Sequence, residues 1–457
     1  MGLQAKSMHG VWVSRWTFIL AATGSAVGLG NMWKFPYVAG SFGGGAFVFV
    51  YLLCVFLIGV PLMMAEVLIG RSGRQSPINA MRHAVTVSGA AQHWRCVGWL
   101  GVTAGLIILS FYAVIAGWAL DYVVQMARGN LIGADGEVAA GLFAELTNNP
   151  LRLIVWQTAF LALCMVVVVR GVRKGVGTAV EILMPLLFVM LLGMLVFAVF
   201  KGDFSAAWQF LFRFDASSLT WRAILEAMGL AFFTLSIGMG AIMAYGAYMP
   251  ANASIGQTVL VVALFDSLVA IISGLIIFSI VFATPGIEPS AGPGLMFISL
   301  PVAFGNMPGG LLVGAVFFIL VVIAAWSSAI SLLEPAVAWL MEAQNFSRLK
   351  ANVVLVAAVW VLGLGTVLSF NVGRDATIAG FTFFDALDFL TANIILPLGG
   401  LAISLFTGFA MRKAIIEEQI PELKGAWMTA WRAVLCYVAP FAITCIFVMG
   451  IYDKFFL

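Results

Sequence analysis

The stretch GSAVGLGNMWKFPY occupies residues 24–37 and interrupts the first long apolar segment of the chain. Its glycines, with the polar residues Ser25 and Asn31, fall where a membrane helix reaches mid-depth. Each glycine costs up to about 1 kcal/mol of helix propensity relative to alanine. Non-helical backbone at that depth is tolerated only where it is buried in protein or lines a cavity. The stretch therefore predicts a broken helix, with a GxxxG contact face at Gly24 and Gly28 as the alternative.

The composition places this break in a membrane. The chain has 457 residues, of which 63% are hydrophobic and 9% are charged. An ordinary globular domain is about 45–50% apolar and about 25% charged, so a soluble fold is excluded. The apolar runs are continuous rather than alternating, which excludes a β-barrel. The net charge of +3 gives no indication of a nucleic-acid partner, and the lipid bilayer is the expected one.

Eleven apolar segments with short charged connectors predict eleven membrane spans. They lie at about residues 13–39, 45–70, 97–125, 151–169, 177–200, 222–248, 256–283, 309–341, 351–370, 383–411 and 429–452. Most of the 23 Lys and Arg residues fall in connectors on the side of the N-terminus. The positive-inside rule therefore predicts a cytoplasmic N-terminus, and eleven crossings place the C-terminus outside.

A second glycine-rich break lies in the sixth segment, where residues 234–240 read TLSIGMG. Segments 1 and 6 open consecutive sets of five, and interruptions at corresponding places in two halves indicate a transporter binding site. The N-termini of half-helices attract anions, whereas freed carbonyl groups suit cations. The two breaks together predict a site for a zwitterion and Na⁺.

Polar side chains in segments 7 and 8 support a cation site. Asp266 lies in an apolar run without Lys or Arg. A bound Na⁺ would satisfy its charge, and a protonated carboxyl bonded to a backbone carbonyl is the alternative. Ser327, Ser328 and Ser331 share a face of segment 8 at steps of three and four residues. Their hydroxyls either face a second cation or bond their own backbone.

Charged residues near the ends of the segments predict two gates. Lys34 and Asp388 lie toward the outer ends of segments 1 and 10 and are expected to pair across an outer vestibule. Glu342 ends segment 8 on the inner side, where Lys6 or His9 is its expected partner. Such pairs are weak, of order 0–1 kcal/mol, as a gate that must open requires. The alternative is that these are unrelated solvated charges.

Segment 5 carries residues that weaken its cytoplasmic half. Gly175 lowers helix propensity, and Pro185 removes a backbone hydrogen bond. We expect this part of the helix to unwind and admit water, with a static kink as the alternative.

These residues resemble the neurotransmitter:sodium symporters, specifically the bacterial eleven-span amino-acid branch, over about residues 11–450. The motifs are Ser14-Arg15, residues 24–37, GGGAF at 43–47, FFTLSIGMG at 232–240, SSAISLLEP at 327–335 and the spacing from Gly175 to Pro185. The resemblance implies an all-α polytopic membrane protein with the LeuT-type 5+5 inverted repeat and broken helices 1 and 6. It implies one transporter domain, 1–457, with repeats at about 11–200 and 222–411 and an extra span at about 429–452.

The resemblance also implies the ligand sets. The first sodium site would use Ala26, Asn31, Thr234 and Asp266. The second would use Gly24, Val27, Ala324, Ser327 and Ser328. The substrate site would use Ser25, Ala26, Leu29, Gly30, Ile108, Tyr112, Phe233, Thr234, Ser236, Met239, Ser328 and Leu332.

The implied function is sodium-coupled symport of a hydrophobic or aromatic L-amino acid into the cell across the bacterial inner membrane. Gly28 stands where monoamine carriers of the family have an aspartate, which favours an α-amino acid. Ala270 stands where chloride-dependent relatives have a serine, and Asp266 supplies a fixed charge, so chloride independence is predicted. A carrier of a small amino acid or a taurine-like osmolyte is the alternative, and a channel or sensor on the same core is a more distant one. No arrangement typical of an enzyme lies at membrane depth.

Two gate residues depart from the family pattern. Lys34 replaces the usual arginine and so loses bidentate geometry toward Asp388. His9 replaces the arginine of the inner gate, which leaves Lys6 as a substitute partner for Glu342.

Overall fold

The protein is described from a computed structural model that covers residues 10, 12, 14–285, 294–377 and 379–456. Within these residues nine helices are long and apolar enough to cross a membrane. They are span 2 (Gly45–Gly73), span 3 (Gln92–Arg128), span 4 (Pro150–Val169), span 5 (Val172–Lys201), span 7 (Ile255–Phe282), span 8 (Gly310–Gln344), span 9 (Arg348–Ser369), span 10 (Phe383–Ala410) and span 11 (Ala426–Tyr452). All nine match predicted segments to within a few residues.

Span 1 is a broken helix, as predicted. Its first half, Arg15–Ala26, ends at Val27, whose backbone is extended at φ −74° and ψ 105°. Helical structure resumes as a π-helical turn, Gly30–Lys34, and continues as Phe35–Ser41. The break leaves carbonyl groups of the first half and N–H groups of the second half without helical partners at mid-membrane.

Span 6 is broken at the second predicted place, between the helices Trp221–Thr234 and Ala241–Tyr248. The connecting residues include Gly238 at φ +81° and Gly240 at φ +72°, in the left-handed region that glycine adopts without a Cβ penalty. A Cβ on Gly238 would also lie 3.0 Å from the carbonyl oxygen of Leu396 in span 10. The glycines of this segment are therefore required by the turn itself.

The broken spans lie in the centre of the bundle, and lipid-facing helices surround them. Span 1 packs against spans 5, 7 and 8, and span 8 runs along span 3. The most apolar windows of spans 5, 9 and 11 are only 33%, 33% and 22% buried, which identifies them as peripheral helices. The mixed burial is typical of a membrane bundle, because lipid rather than protein covers the outer apolar faces.

Shorter helices cap the ends of the bundle. They are Pro77–Ser88, Gly136–Thr147, Phe204–Phe212, Leu295–Asn306 and Lys413–Gln419. Leu295–Asn306 covers the outer end of the bundle, where the Phe297 ring lies 5.5 Å from Trp118 and 6.2 Å from Trp33. This aromatic contact closes part of the outer approach to the centre.

The start of span 5, predicted to face the cytoplasm, is helical in this conformation. Gly175 lies in a π-helical turn, Val172–Gly177, and Pro185 lies inside the α-helix Thr178–Lys201. A π-helical turn is a weakened helix rather than an unwound one. Unwinding therefore stays a prediction, as do the repeat boundaries 11–200 and 222–411 and the extra span 429–452.

Candidate functional site

A small central cavity lies between spans 1, 3, 6 and 8 at the two helix breaks. The predicted substrate residues all line it, together with Gly28: Ser25, Ala26, Leu29, Gly30, Ile108, Tyr112, Phe233, Thr234, Ser236, Met239, Ser328 and Leu332. Its volume is about 20 Å³. That is room for about one water molecule, so the structure is a closed conformation in which the walls of the cavity meet.

Serine hydroxyls join the two breaks directly. Ser236, with a backbone φ of +55°, donates from Oγ to the Ser25 carbonyl at 2.9 Å. Ser25 in turn donates from Oγ to Ser331 Oγ at 2.8 Å. Spans 1, 6 and 8 are thereby held together by polar groups at mid-membrane. These polar groups are tolerated at this depth because the hydroxyls of Ser25, Ser236 and Ser331 each have a hydrogen-bond partner.

The start of the second half of span 1 presents backbone N–H groups to the cavity. The Leu29 N–H donates to the Tyr112 hydroxyl at 3.2 Å. A Cβ on Gly28 would lie 2.5 Å from Ser328 Oγ and 2.8 Å from the Tyr112 hydroxyl oxygen. A larger residue would therefore displace both hydroxyls. The end of the half-helix favours an anionic group at this place.

The predicted first sodium site is centred on Asp266, whose side chain is fully buried. Asn31 Nδ2 donates to Asp266 Oδ1 at 2.7 Å and to the Asp266 carbonyl at 3.0 Å. The Tyr51 hydroxyl donates to Asp266 Oδ2 at 3.2 Å and lies 3.1 Å from Thr234 Oγ1. Among the described residues no Lys or Arg pairs with this carboxylate. A cation beside Asp266, Thr234 and the Ala26 carbonyl would balance its charge.

The predicted second sodium site lies on the other side of the span 1 break. Ser328 Oγ donates to the carbonyls of Gly24 at 3.2 Å and Val27 at 3.1 Å. Ser327 Oγ bonds the Ala324 carbonyl of its own helix at 3.0 Å. The structure therefore brings all five predicted residues together. The Ser327 hydroxyl bonds its own helix backbone, which was the alternative to a role as a cation ligand.

The chemistry of both sites fits a hard cation. Their donors are carbonyl, hydroxyl and amide oxygens with one carboxylate, the ligand type that hard ions prefer. In the described part of the chain no three His, Cys, Asp or Glu side chains form a metal-binding group. A transition-metal site therefore has no donor set there.

Lys34 and Asp388, the predicted outer gate pair, line the same outer cavity, whose volume is about 340 Å³. Among the described residues they are not joined by an ion pair within 4 Å, so their pairing as a gate stays a prediction. Lys34 Nζ lies over the Phe233 ring, 5.1 Å from its centroid. Phe233 lines both the central and the outer cavity, and its ring face attracts the ammonium group of Lys34.

The predicted inner gate residue Glu342 is held by the N-cap and first turn of the helix Pro77–Ser88. The Ser76 N–H donates to Glu342 Oε1 at 2.8 Å, and the Ser76 hydroxyl and Asn79 Nδ2 donate to Oε2 at 2.5 Å and 2.7 Å. Lys6 and His9 lie outside the described residues, so the pairing of either one with Glu342 stays a prediction.

Two functional features were missed by sequence reasoning. Glu66 of span 2 is fully buried and accepts a hydrogen bond from the Gly238 N–H at 2.6 Å, which fixes the span 6 break. Glu181 of span 5 accepts from Thr17 Oγ1 at 2.6 Å and ties span 1 to span 5. Glu66 had a usable signal, because it interrupts an apolar run as Asp266 does. The partner of Glu181 is 164 residues away, and no local pattern points to it.

Sequence comparison gives relatives over nearly the whole chain. A family model described as "Sodium:neurotransmitter symporter family" matches residues 9–137 and 147–455. An uncharacterized sodium-dependent transporter of Bacillus subtilis, YhdH, is 35% identical over 95% of this chain and 96% of its own length. The human sodium- and chloride-dependent GABA transporter 2 is 24% identical over 84% of this chain and 70% of its own length.

Structure comparison gives the same fold. The crystal structure of MhsT in complex with L-phenylalanine superposes with a TM-score of 0.88 at 40% sequence identity. The match covers 96% of this chain and 99% of that one. Proteins of this family are transporters rather than enzymes. The chain belongs to the sodium:neurotransmitter symporter family and is a multi-pass, sodium-dependent membrane symporter.

Proposed function

We propose that this symporter imports a hydrophobic or aromatic L-amino acid together with Na⁺ by alternating access. The side-chain part of the central cavity is apolar, with Ile108, Phe233, Met239 and Leu332 among its walls. Met239 is one of these walls, and a methionine side chain adapts to ligands of different shape. The 40% identity to a protein solved with L-phenylalanine supports the same substrate class.

The backbone of the amino acid is proposed to lie between the two breaks. Its carboxylate would accept from the N–H groups of Leu29 and Gly30 and from the Tyr112 hydroxyl. The 3.2 Å hydrogen bond from the Leu29 N–H to the Tyr112 hydroxyl oxygen supports this role, because it places these two groups side by side at the start of the second half of span 1. Its ammonium would meet oxygens of Ala26, Phe233, Thr234 and Ser236 at the opposite break. The absence of a side chain at Gly28 leaves the space for the carboxylate.

Two Na⁺ ions are proposed, one at Asp266 with Ala26, Asn31 and Thr234, and one near Ser327. The second site would use the carbonyls of Gly24, Val27 and Ala324 with the hydroxyls of Ser327 and Ser328. Two charges moved through ~100 mV supply about 4.6 kcal/mol. At about 1.4 kcal/mol per tenfold change, this supports roughly a thousandfold accumulation of a neutral zwitterion.

Chloride independence is part of the proposal. Asp266 holds its carboxyl group against the Tyr51 hydroxyl at 3.2 Å, where its ionised form would supply the negative charge that balances the sodium ion. One helical turn further, Ala270 offers no hydroxyl to an anion. A bound chloride would add a second negative charge beside a buried carboxylate, which electrostatics disfavours.

The transport cycle is proposed to depend on the break in span 1 and on the weakened helix at the start of span 5. Substrate and Na⁺ enter from outside with Phe233 and Lys34 displaced, and the closed state with Lys34 over Phe233 follows. The segment from Gly175 to Pro185 then unwinds and admits water to the second sodium site. The N-terminus is cytoplasmic in this scheme, the C-terminus is outside, and the inner membrane is the location.

The observation that carries the proposal is the single cavity at which both breaks and the predicted substrate residues meet. The experiment is a binding screen of the twenty amino acids on purified protein by scintillation proximity, in Na⁺ and in K⁺. Phenylalanine, leucine and other hydrophobic or aromatic amino acids should bind in Na⁺ and not in K⁺. The 24% identity to the human GABA transporter 2 favours a second candidate, a small amino acid or a taurine-like osmolyte. Binding of glycine or taurine without phenylalanine would support that candidate.

A further inference from the structure

A large cavity lies at the membrane surface between spans 10 and 11, remote from the transport site. It is bounded by the end of span 10, the helix Lys413–Gln419 and the first turns of span 11, and its volume is about 1070 Å³. We call it the span 10–11 cavity. Its size reaches the upper end of the range for small-molecule sites, roughly 300–1,000 Å³. Nothing in the transport mechanism uses it.

The wall of this cavity carries an excess of positive charge. Lys413, Lys424 and Arg432 line it with a single acidic residue, Glu417. The pair of Lys413 with Glu417 is 3.3 Å long and exposed on both sides, so it binds the lysine only weakly. Arg432 donates one hydrogen bond, to the Gly408 carbonyl at 2.8 Å. A guanidinium has five N–H donors, and the others remain for an anion.

The depth of the cavity is that of lipid headgroups. Span 11 has 27 residues, about 40 Å at 1.5 Å per residue, whereas the hydrocarbon core is about 30 Å thick. Trp427 near its start is 75% exposed and Tyr452 at its other end is 47% exposed, the arrangement of an aromatic belt at both interfaces. Arg432 follows Trp427 by five residues, about 8 Å along the helix. Its guanidinium therefore lies at the boundary of headgroups and acyl chains.

The lipid-facing side of the cavity is apolar and aromatic. Phe409 is 58% exposed and Tyr437 is 68% exposed, with ring centroids 6.1 Å apart. One turn after Tyr437, Phe441 is 74% exposed on the same side of span 11. A ligand whose charged part lies among Lys413, Lys424 and Arg432 would thus continue along an apolar surface into the bilayer.

We propose that the span 10–11 cavity binds the headgroup of an anionic phospholipid, with its acyl chains along Phe409 and Tyr437. The first N–H groups of span 11 have no side-chain cap at Gly425 and add favourable partners for a phosphate. Basic pockets between membrane helices on the cytoplasmic side are suited to such headgroups. This site is independent of the proposed substrate, because it shares no residue with the central cavity.

The test uses the full-length protein in nanodiscs of phosphatidylcholine with and without phosphatidylglycerol. Native mass spectrometry counts the lipids retained, and thermal unfolding measures their effect. The wild type should retain phosphatidylglycerol and unfold at a higher temperature with it. The double variant Lys413→Gln/Lys424→Gln should bind it about tenfold or more weakly, because each basic residue contributes on the order of 1 kcal/mol. Lys413→Arg/Lys424→Arg should restore binding.

A matched control removes two exposed charges from the opposite membrane face, at the ends of spans 3 and 5. Arg128→Gln/Lys201→Gln should retain phosphatidylglycerol as the wild type does. Three results would each overturn the proposal. The wild type could retain phosphatidylcholine as well as phosphatidylglycerol, Lys413→Gln/Lys424→Gln could retain as much phosphatidylglycerol as Arg128→Gln/Lys201→Gln, or inorganic phosphate alone could give the same stabilisation. Inorganic phosphate is included because it carries the same anionic group without acyl chains.

Discussion

Asn31 and Asp266 join the break in span 1 to the middle of span 7 through two hydrogen bonds. Asn31 Nδ2 donates to Asp266 Oδ1 at 2.7 Å and to the Asp266 carbonyl at 3.0 Å. The carboxylate is fully buried, and its partners among the described residues are neutral donors. A buried charge without a cationic partner is costly, so we expect the site to depend on a bound cation.

Asp266→Asn is therefore expected to weaken Na⁺ binding. The variant removes the only carboxylate of the proposed first sodium site, and we expect the Na⁺ concentration for half-maximal amino-acid binding to rise at least tenfold. The measurement is a Na⁺ titration of amino-acid binding. Asp375→Asn, which removes an exposed carboxylate from the loop after span 9, serves as the control and should bind Na⁺ normally.

The same carboxylate predicts how the protein responds to chloride. Uptake by the wild type should change less than twofold when gluconate replaces chloride, because Asp266 already supplies the negative charge. Asp266→Asn should gain a response to chloride, measured as the ratio of binding in the two salts. A tenfold fall of wild-type uptake in gluconate would contradict chloride independence.

Gly28→Ala is expected to abolish substrate binding while leaving the fold intact. The added Cβ would lie 2.5 Å from Ser328 Oγ and 2.8 Å from the Tyr112 hydroxyl oxygen. It would fill the space proposed for the substrate carboxylate, so affinity should fall more than tenfold. Gly193→Ala in span 5 is the matched control, since its Cβ meets nothing within 4 Å. Unchanged amino-acid affinity in Gly28→Ala would refute the proposed position of the carboxylate.

Lys34 is expected to be coupled energetically more strongly to Phe233 than to Asp388 in the closed state. A double-mutant cycle with Lys34→Gln and Phe233→Leu should give about 1–2 kcal/mol in thermal stability, the strength of a partly buried cation–π contact. The cycle with Lys34→Gln and Asp388→Asn should give a smaller coupling energy. The reverse ranking would mean that the two charges form the gate.

Thr17→Val is expected to destabilise the closed inner side. It removes the 2.6 Å hydrogen bond to Glu181, which holds the first half of span 5 against span 1. A hydrogen bond to a charged group contributes about 1.5–3 kcal/mol, so apparent Na⁺ affinity should fall about tenfold as inward-open molecules accumulate. Thr444→Val is the control, because Thr444 is exposed and bonds only the Pro440 carbonyl of its own helix.

The breaks in spans 1 and 6 were predictable because glycine acts locally. Gly238 and Gly240 take left-handed backbone angles, which other residues adopt only at a cost. A break of this kind therefore requires glycine, and the glycines are visible in the sequence. Asp266 and Ser328 were predictable for a related reason, since polar groups in apolar runs are expensive and need partners.

Contacts between distant spans were not predictable in the same way. Lys34 has both an aromatic ring and a carboxylate within reach, and only the packing of span 6 against span 1 decides for Phe233. The size of the central cavity depends on side-chain positions from spans 1, 3, 6 and 8 together. Neither feature has a pattern along the chain that would reveal it.

The central claim is that Na⁺ and an amino acid share one site between the two breaks, and reciprocal binding tests it most directly. Phenylalanine binding is titrated at low and at saturating Na⁺, and Na⁺ binding is titrated with and without phenylalanine, on the same purified protein. Thermodynamic linkage requires each ligand to raise the affinity of the other by the same factor. The account predicts a factor of at least ten in both directions. A factor of one, with phenylalanine binding equally well in K⁺, would contradict it.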